Sequence, residues 1–281
     1  MRSTKHILHV GMVSSVILAG MTALGWGGLH VRPAAFPPVP PPAAPPATVP
    51  LPAGLPAPVD RFYRRLYGEQ VPVISSAMIS GRGTLRLFGL RFPARFRFVH
   101  DAGHAYRHYI ETTVFGRALM KVNERFVRGH GRMELPFGIE EGAQVDQGAN
   151  LALWAEAIWL PALWLTDTRV RWESIDDVTA VLVVPPAEGT SQAEDQERFI
   201  VRFDPATGMP WLLESMRYRG SAGAKTLWLN QIEAWGMVGT YTLPTVTAVT
   251  WADEGTPWAI FTVEDVAYNV DVASLPTATG P

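Results

Sequence analysis

The sequence of 281 residues contains no cysteine and little excess charge of either sign. Without cysteine the protein has no disulfide framework, no cysteine zinc ligand, no thiol nucleophile and no acylated lipoprotein cysteine. The 24 Lys and Arg residues nearly balance the 26 Asp and Glu residues, which excludes a generally basic nucleic-acid-binding protein. There is no G-x-S-x-G motif and no glycine-rich phosphate loop between a strand and a helix, so we expect no cofactor and assign no catalytic residue.

A long uncharged run lies at the N-terminus. No Asp, Glu, Lys or Arg occurs from Ile7 to Val31, and Arg2 and Lys5 precede the run. A bilayer requires about 20 apolar helical residues, whereas the apolar part of a signal peptide has about 7–15. We therefore predict that residues 1–32 form a membrane helix that acts as a signal-anchor, with a cleaved signal peptide as the alternative. Both alternatives place the rest of the chain outside the cytoplasm, in the periplasm or the extracellular space, tethered to the membrane or secreted.

A proline-rich segment follows. Residues 33–58 include 12 prolines, a composition typical of a polyproline II linker that holds a domain away from the membrane. We predict one folded domain over residues 59–272 and a flexible tail over residues 273–281.

The domain has the pattern of an α+β fold. Alternation such as Arg95-Phe96-Arg97-Phe98 and turn signals such as Asp204–Gly208 predict about ten antiparallel strands. The clearest helix is predicted at Ala149–Leu160, where Pro161 ends it. We expect a curved antiparallel sheet, or half-barrel, with this helix on its concave side.

Two groups of polar residues were candidates for chemistry. His100, His104 and His108 have the spacing of metal ligands on a helix, but residues 100–103 have the pattern of a turn between strands. Along a strand four residues span about 13 Å, so we predict no metal site. Glu156 is offset by roughly 160–200° from the stripe of Leu151, Trp154 and Ile158, which predicts a solvent-facing carboxylate. If it lined a cavity instead, it would be a candidate general acid of a hydrolase, with Asp176 or Asp177 as the second carboxylate.

Aromatic residues cluster around the predicted helix. The residues predicted to bind a ligand are Trp154, Glu156, Trp159, Trp164 and Trp172. Large indoles next to an incompletely covered concave sheet favour an apolar cavity for a lipid, another hydrophobic ligand or a lipid-modified partner. The alternative is that the tryptophans fill the core of a structural or protein-interaction module.

Several motifs carry a resemblance to a known family. They are Leu55–Val59 leading into Arg61-Phe62-Tyr63, Gly83–Arg86, Leu153–Pro161, Val170–Glu173, Phe203-Asp204 and Arg217–Arg219. Over most of residues 55–270 the chain resembles an uncharacterised bacterial domain-of-unknown-function family. That family is similar in pattern to periplasmic lipoprotein-carrier half-barrels of the LolA and LppX type. The resemblance implies, by fold analogy, a half-barrel that encloses acyl chains, and it assigns no catalytic residue. Together with the N-terminal segment, this leads us to predict a membrane-tethered, extracytoplasmic protein that binds a hydrophobic ligand, a lipid or an envelope partner without catalysis.

Overall fold

The structure, a computed structural model, describes residues 20–40, 42, 44–187, 196–274, 278, 280 and 281. Most of the predicted membrane segment, residues 1–19, lies outside the described residues. Residues 20–28 are helical, and none of the helices in the described ranges is long and apolar enough to cross a membrane.

The described chain is mainly antiparallel β-structure. The helices after residue 28 are α1 (Ala57–Tyr67), α2 (Ala143–Glu156) and α3 (Leu163–Thr166). The strands are β1 (Thr48–Pro50), β2 (Gln70–Pro72), β3 (Ser76–Leu87), β4 (Leu90–Asp101), β5 (Ala105–Val114), β6 (Arg117–Val127), β7 (His130–Leu135), β8 (Gly138–Glu141), β9 (Arg171–Asp176), β10 (Thr179–Val184), β11 (Glu197–Phe203), β12 (Pro210–Tyr218), β13 (Lys225–Val238), β14 (Tyr241–Trp251) and β15 (Ala259–Tyr268).

Thirteen of these strands form one unclosed sheet in the order β8-β7-β6-β5-β4-β3-β15-β14-β13-β12-β11-β10-β9. The antiparallel sheet predicted from alternation is confirmed, and the predicted turn at Asp204–Gly208 joins β11 and β12 in a hairpin. The expected ten strands were too few. One of those missed is β3, which contains Gly81 and Gly83, and glycine weakens a strand pattern. Gly81 is required there, since a Cβ at this position would lie 2.0 Å from the Thr262 carbonyl oxygen of β15.

The sheet curves around α2. The helix contacts β6, β7 and β8 on one side and β12 on the other, although β7 and β12 are eight places apart in the sheet. In a flat sheet that separation would be about 38 Å, far more than the width of a helix. A single helix can therefore contact both strands only because the sheet bends around it.

The helix α2 begins six residues earlier than predicted and ends at Glu156, followed by a 3₁₀ turn at Ala157–Trp159. Its residues from Gly148 to Ala155 are all buried. A helix that is buried all round lies inside a protein rather than on its surface. The expectation that one face of this helix meets solvent was therefore wrong.

The proline-rich segment packs on the outer face of the sheet in its first part. Phe36 is 6% exposed, and its ring lies 5.9 Å from that of Tyr109 and 4.4 Å below the guanidinium carbon of Arg95. The carbonyls of Ala34 and Pro37 accept hydrogen bonds from Arg95 and Arg97. Proline has no N–H to extend a sheet, so arginine side chains bind its segment instead. Residues 34–37 of the predicted linker therefore lie on the surface of the domain rather than away from it. Further along the predicted linker, β1 pairs with β2.

Candidate functional site

A cavity lies between α2 and the concave face of the sheet, with a volume of about 70 Å³. Its apolar wall comes from strands on both sides of the sheet and from the end of the helix. The apolar lining residues are Phe98, Ile110, Ala152, Ala155, Ile158, Trp159, Leu213, Trp228, Ile232, Val249, Trp258 and Phe261. Ala152 and Ala155 place only methyl groups on this face of α2, which leaves the space open. By volume the cavity has room for on the order of five water molecules or a short apolar group.

Polar residues line the rest of the cavity, and a histidine lies at their centre. His108 Nε2 is 2.6 Å from Glu156 Oε2, and His108 Nδ1 is 3.6 Å from Glu124 Oε2. The Tyr106 hydroxyl donates a 2.5 Å hydrogen bond to the other oxygen of Glu124. Strands β5 and β6 and helix α2 thus place one imidazole between two carboxylates.

These contacts shift the pKa values of the buried groups. Burial alone would lower the pKa of His108, but the charges and hydrogen bonds of Glu156 and Glu124 raise it to about 9. Burial would raise the pKa of Glu124, but His108, Arg217 and Tyr106 lower it to about 2. Burial would likewise raise the pKa of Glu156, and His108 and His100 hold it below its ordinary value. The cluster is therefore ionised at neutral pH, with an imidazolium between two carboxylates.

A second histidine points at the same carboxylate. His100 is 1% exposed, and its Nε2 lies 3.2 Å from Glu156 Oε2 without forming a hydrogen bond. His100 pairs with Tyr106 across the β4–β5 hairpin, which brings it diagonally opposite His108. The prediction that these histidines lie too far apart was wrong, because it measured their separation along one strand although the turn after His100 folds β5 back beside β4. His104, at the tip of that turn, is exposed and lies outside the cluster.

Several buried hydrogen-bond donors around the cavity have no partner within the described residues. They are the indole N–H groups of Trp159, Trp228 and Trp258 and the amide nitrogen of Asn230. The buried Thr247 hydroxyl likewise has no hydrogen-bond partner within the described residues. Arg217 also lines the cavity, but its Nε donates to the Gly148 carbonyl and its guanidinium stacks 4.4 Å from the Trp228 ring. The cavity is thus rich in donors that lack an acceptor.

The structure brings only part of the predicted site together. Glu156 and Trp159 line the cavity, whereas Trp154, Trp164 and Trp172 do not. Trp164 Nε1 donates to the Trp154 carbonyl at 3.1 Å, and the rings of Trp164 and Trp172 meet edge to face at 5.8 Å. Trp164 thus packs on Trp172 and binds the backbone of Trp154, and none of the three lines the cavity. The ligand-binding role of all five residues stays a prediction.

The prediction that Glu156 faces solvent was wrong. Its carboxylate is 16% exposed and faces the two histidines, because the part of α2 from Gly148 onward is enclosed on all sides. Asp176 and Asp177, the expected second carboxylates of a hydrolase, are exposed and do not line the cavity. The carboxylate that accompanies Glu156 there is Glu124. No sequence spacing pointed to Glu124, since it comes from a different strand.

Fold and site together define a curved, unclosed antiparallel sheet that holds one central helix and a cavity with an ionised cluster. A sequence model of the Family of unknown function (DUF6544) matches residues 46–263, and the chain belongs to this family. The resemblance noted from the sequence motifs is confirmed. No curated protein matches this chain.

Solved structures with similar folds come from several bacteria. The LolA superfamily protein of Nitrosomonas europaea is 11% identical, with 79% of this chain and 96% of that chain covered and a TM-score of 0.44. A putative outer membrane lipoprotein-sorting protein domain of Vibrio parahaemolyticus is 11% identical over 71% and 88%, with a TM-score of 0.40. A DUF1329 family protein of Desulfovibrio piger is 12% identical over 72% and 89%, with a TM-score of 0.41. A similarity of this degree says nothing about ligand or activity.

Proposed function

We propose that this protein binds a small amphiphile, such as part of a lipid, in the cavity between α2 and the sheet. The observation that carries the proposal is the combination of apolar walls and unpartnered N–H donors in one cavity. Ligand pockets typically combine an apolar lining with a few polar groups that fix orientation. The apolar part of the ligand would lie against Phe98, Ile158 and Phe261.

The unpartnered donors indicate the polar part of the ligand. Each buried donor without an acceptor costs about 1–3 kcal/mol, and donors from Trp159, Trp228, Trp258 and Asn230 lie around this one cavity. An oxygen acceptor, as in a carboxylate, ester or alcohol, would satisfy one or more of them. An amine would bring further donors and satisfy none. We therefore propose a ligand with an apolar chain and an oxygen-containing head group.

We also propose that the protein is tethered to a membrane and that its domain lies outside the cytoplasm. The arginine, lysine and uncharged run at the N-terminus support this topology. The last residues of that run meet the domain at the β5–β6 turn, where Phe115 N donates a 2.8 Å hydrogen bond to the Gly28 carbonyl. The domain would thus face the bilayer with this end of its strands.

The same end of the sheet presents aromatic side chains to solvent. Phe88 in the β3–β4 turn is 81% exposed, Phe137 between β7 and β8 is 78% exposed, and their rings meet at 6.3 Å. Phe88 and Phe115 adopt positive φ, which is rare for bulky residues. Arg91 and Arg117 nearby are exposed and form no salt bridge within the described residues. Aromatic tips with cations beside them suit the interface of an anionic membrane.

Titration with matched ligands tests the cavity proposal. Hexanoate and hexylamine share an apolar chain but differ in the head group, and tryptophan emission of the purified full chain reports binding next to Trp159 and Trp228. We expect hexanoate to bind and hexylamine to bind at least about tenfold more weakly. Ala155→Leu should abolish binding by filling the cavity, while the control Ala155→Ser keeps the space and should bind. No binding of either ligand, or equal binding to both Ala155 variants, would refute the proposal.

A further inference from the structure

We propose that His100, His108 and Glu156 form a binding site for a divalent transition-metal ion such as Zn²⁺. The three side chains come from β4, β5 and α2, and their ligand atoms lie within 4.8 Å of one another. The site adjoins the cavity, but the proposal goes beyond amphiphile binding and does not require it.

The distances suit a small ion. Zn–N and Zn–O bonds of about 2.0–2.2 Å in a tetrahedron place the ligand atoms about 3.3 Å apart. His100 Nε2 is already 3.2 Å from Glu156 Oε2. His108 Nε2, at 2.6 Å from the same oxygen, would need to move back by less than 1 Å. The ligand atoms of the three side chains lie within 4.8 Å of one another, so side-chain movements of up to about 1.5 Å would bring all three within bonding distance of one ion.

Two further features support a metal rather than a structural ion pair. His100 Nε2 is buried, and its 3.2 Å contact with Glu156 Oε2 does not have hydrogen-bond geometry, so an ion between the two atoms would engage both. His108 has Glu124 beside its other ring nitrogen, and Tyr106 holds Glu124 in turn. Metal-bound histidines regularly have such a carboxylate behind them, which fixes the ring and raises its basicity.

The residue types indicate the class of metal. Imidazole nitrogens suit Zn²⁺ and its neighbours, whereas Ca²⁺ and Mg²⁺ prefer oxygen ligands alone. The charges of Glu156 and Glu124 would balance a divalent ion. Three protein ligands leave one position open, and His108 and Glu156 both line the cavity, so that position faces it. A water molecule or the head group of a bound ligand would occupy it.

Cobalt titration of the full chain, purified without a histidine tag, tests the site. We expect one Co²⁺ per chain by elemental analysis, visible absorption bands of four- or five-coordinate Co²⁺, and displacement by Zn²⁺. The control variant replaces every histidine outside the cluster with Gln, namely His6, His9, His30, His104 and His130. It should bind Co²⁺ as the wild type does.

Substitution of the metal-coordinating residues completes the test. His100→Gln and Glu156→Gln should each weaken Co²⁺ binding at least about tenfold while the far-ultraviolet circular dichroism stays unchanged. Absence of stoichiometric Co²⁺ binding in the wild type, or its loss in the control variant, would overturn the proposal. If His100→Gln or Glu156→Gln does not fold, the test still stands on the control variant, which must bind one Co²⁺ with the same visible absorption bands as the wild type.

Discussion

Replacing His108 should destabilise the metal-free protein by about 3 kcal/mol near pH 6. In chelator, His108 lies between two carboxylates, and its pKa rises from 6.5 to about 9. One pKa unit corresponds to about 1.4 kcal/mol, so the folded state favours the imidazolium by about 3 kcal/mol. His108→Gln removes that positive charge. The negative charges of Glu124 and Glu156 then repel each other with no cation between them.

The sign of the pH dependence follows from the direction of the shifts. His108 has a raised pKa, so its contribution is complete below pH 6.5 and is lost as the pH rises through about 9. Glu124 has a lowered pKa, so its contribution is present above pH 4.5 and is lost as the pH falls through about 2. The difference between wild type and His108→Gln should therefore be largest between pH 4.5 and 6.5.

Urea unfolding measures this difference, and NMR measures the pKa directly. We expect the gap in unfolding free energy to be about 3 kcal/mol at about pH 6 and to shrink markedly at about pH 10. The imidazole of His108 should titrate near pH 9 in the wild type. His104→Gln, on the exposed tip of the same hairpin, should change stability by less than about 0.5 kcal/mol. A gap that is equal at both pH values, or an ordinary pKa for His108, would refute the electrostatic reasoning.

Three further predictions concern the sheet, one ion pair and the aromatic end. Gly81→Ala should lower the free energy of unfolding, measured by urea denaturation, by more than about 2 kcal/mol, because the added Cβ would lie 2.0 Å from a carbonyl oxygen of β15. An unchanged free energy of unfolding would contradict this close approach. Asp167 has a pKa below its ordinary 3.8, because hydrogen bonds from Arg169 outweigh the opposing effect of burial. Asp167→Asn should therefore destabilise the protein in thermal unfolding near pH 6, and the loss should shrink as the pH falls below 3.8; a loss that does not depend on pH would contradict this. The double variant Phe88→Ser and Phe137→Ser should bind anionic vesicles more weakly than the wild type, with unchanged stability, because both rings are exposed. The control Met237→Ser changes a side chain that is exposed near the β13–β14 turn, at the other end of the strands, and should leave vesicle binding unchanged. Equal binding by the wild type, the double variant and the control would refute the proposal that this end faces the membrane.

Local patterns in the sequence predicted the elements better than the site. Alternation along Arg95–Phe98 correctly separates the core side chains Phe96 and Phe98 from the arginines of the outer face. The position of Glu156 could not be obtained this way, because helical periodicity assumes that one face meets solvent and α2 has no such face from Gly148 to Ala155. A hydrophobic pattern that is weakly one-sided, with alanines at positions 152 and 155, was the available signal of an enclosed helix.

The polar cluster depends on contacts that are distant in sequence. His100 and His108 meet because a tight turn at Gly103 folds β4 onto β5, and sequence spacing along one strand does not report that turn. Glu156 reaches them from a helix 48 residues after His108. Treating each histidine as part of a hairpin, with positions counted from the turn, would have predicted the first of these contacts. The second depends on the curvature of the whole sheet.

Native mass spectrometry of the full chain, purified without added ligand and then extracted with solvent, tests the central claim most directly. The account predicts a bound molecule with an apolar chain and an oxygen-containing head group, present on the wild type and on Ala155→Ser and absent from Ala155→Leu. A wild-type mass free of any adduct, together with no uptake of hexanoate, would contradict it.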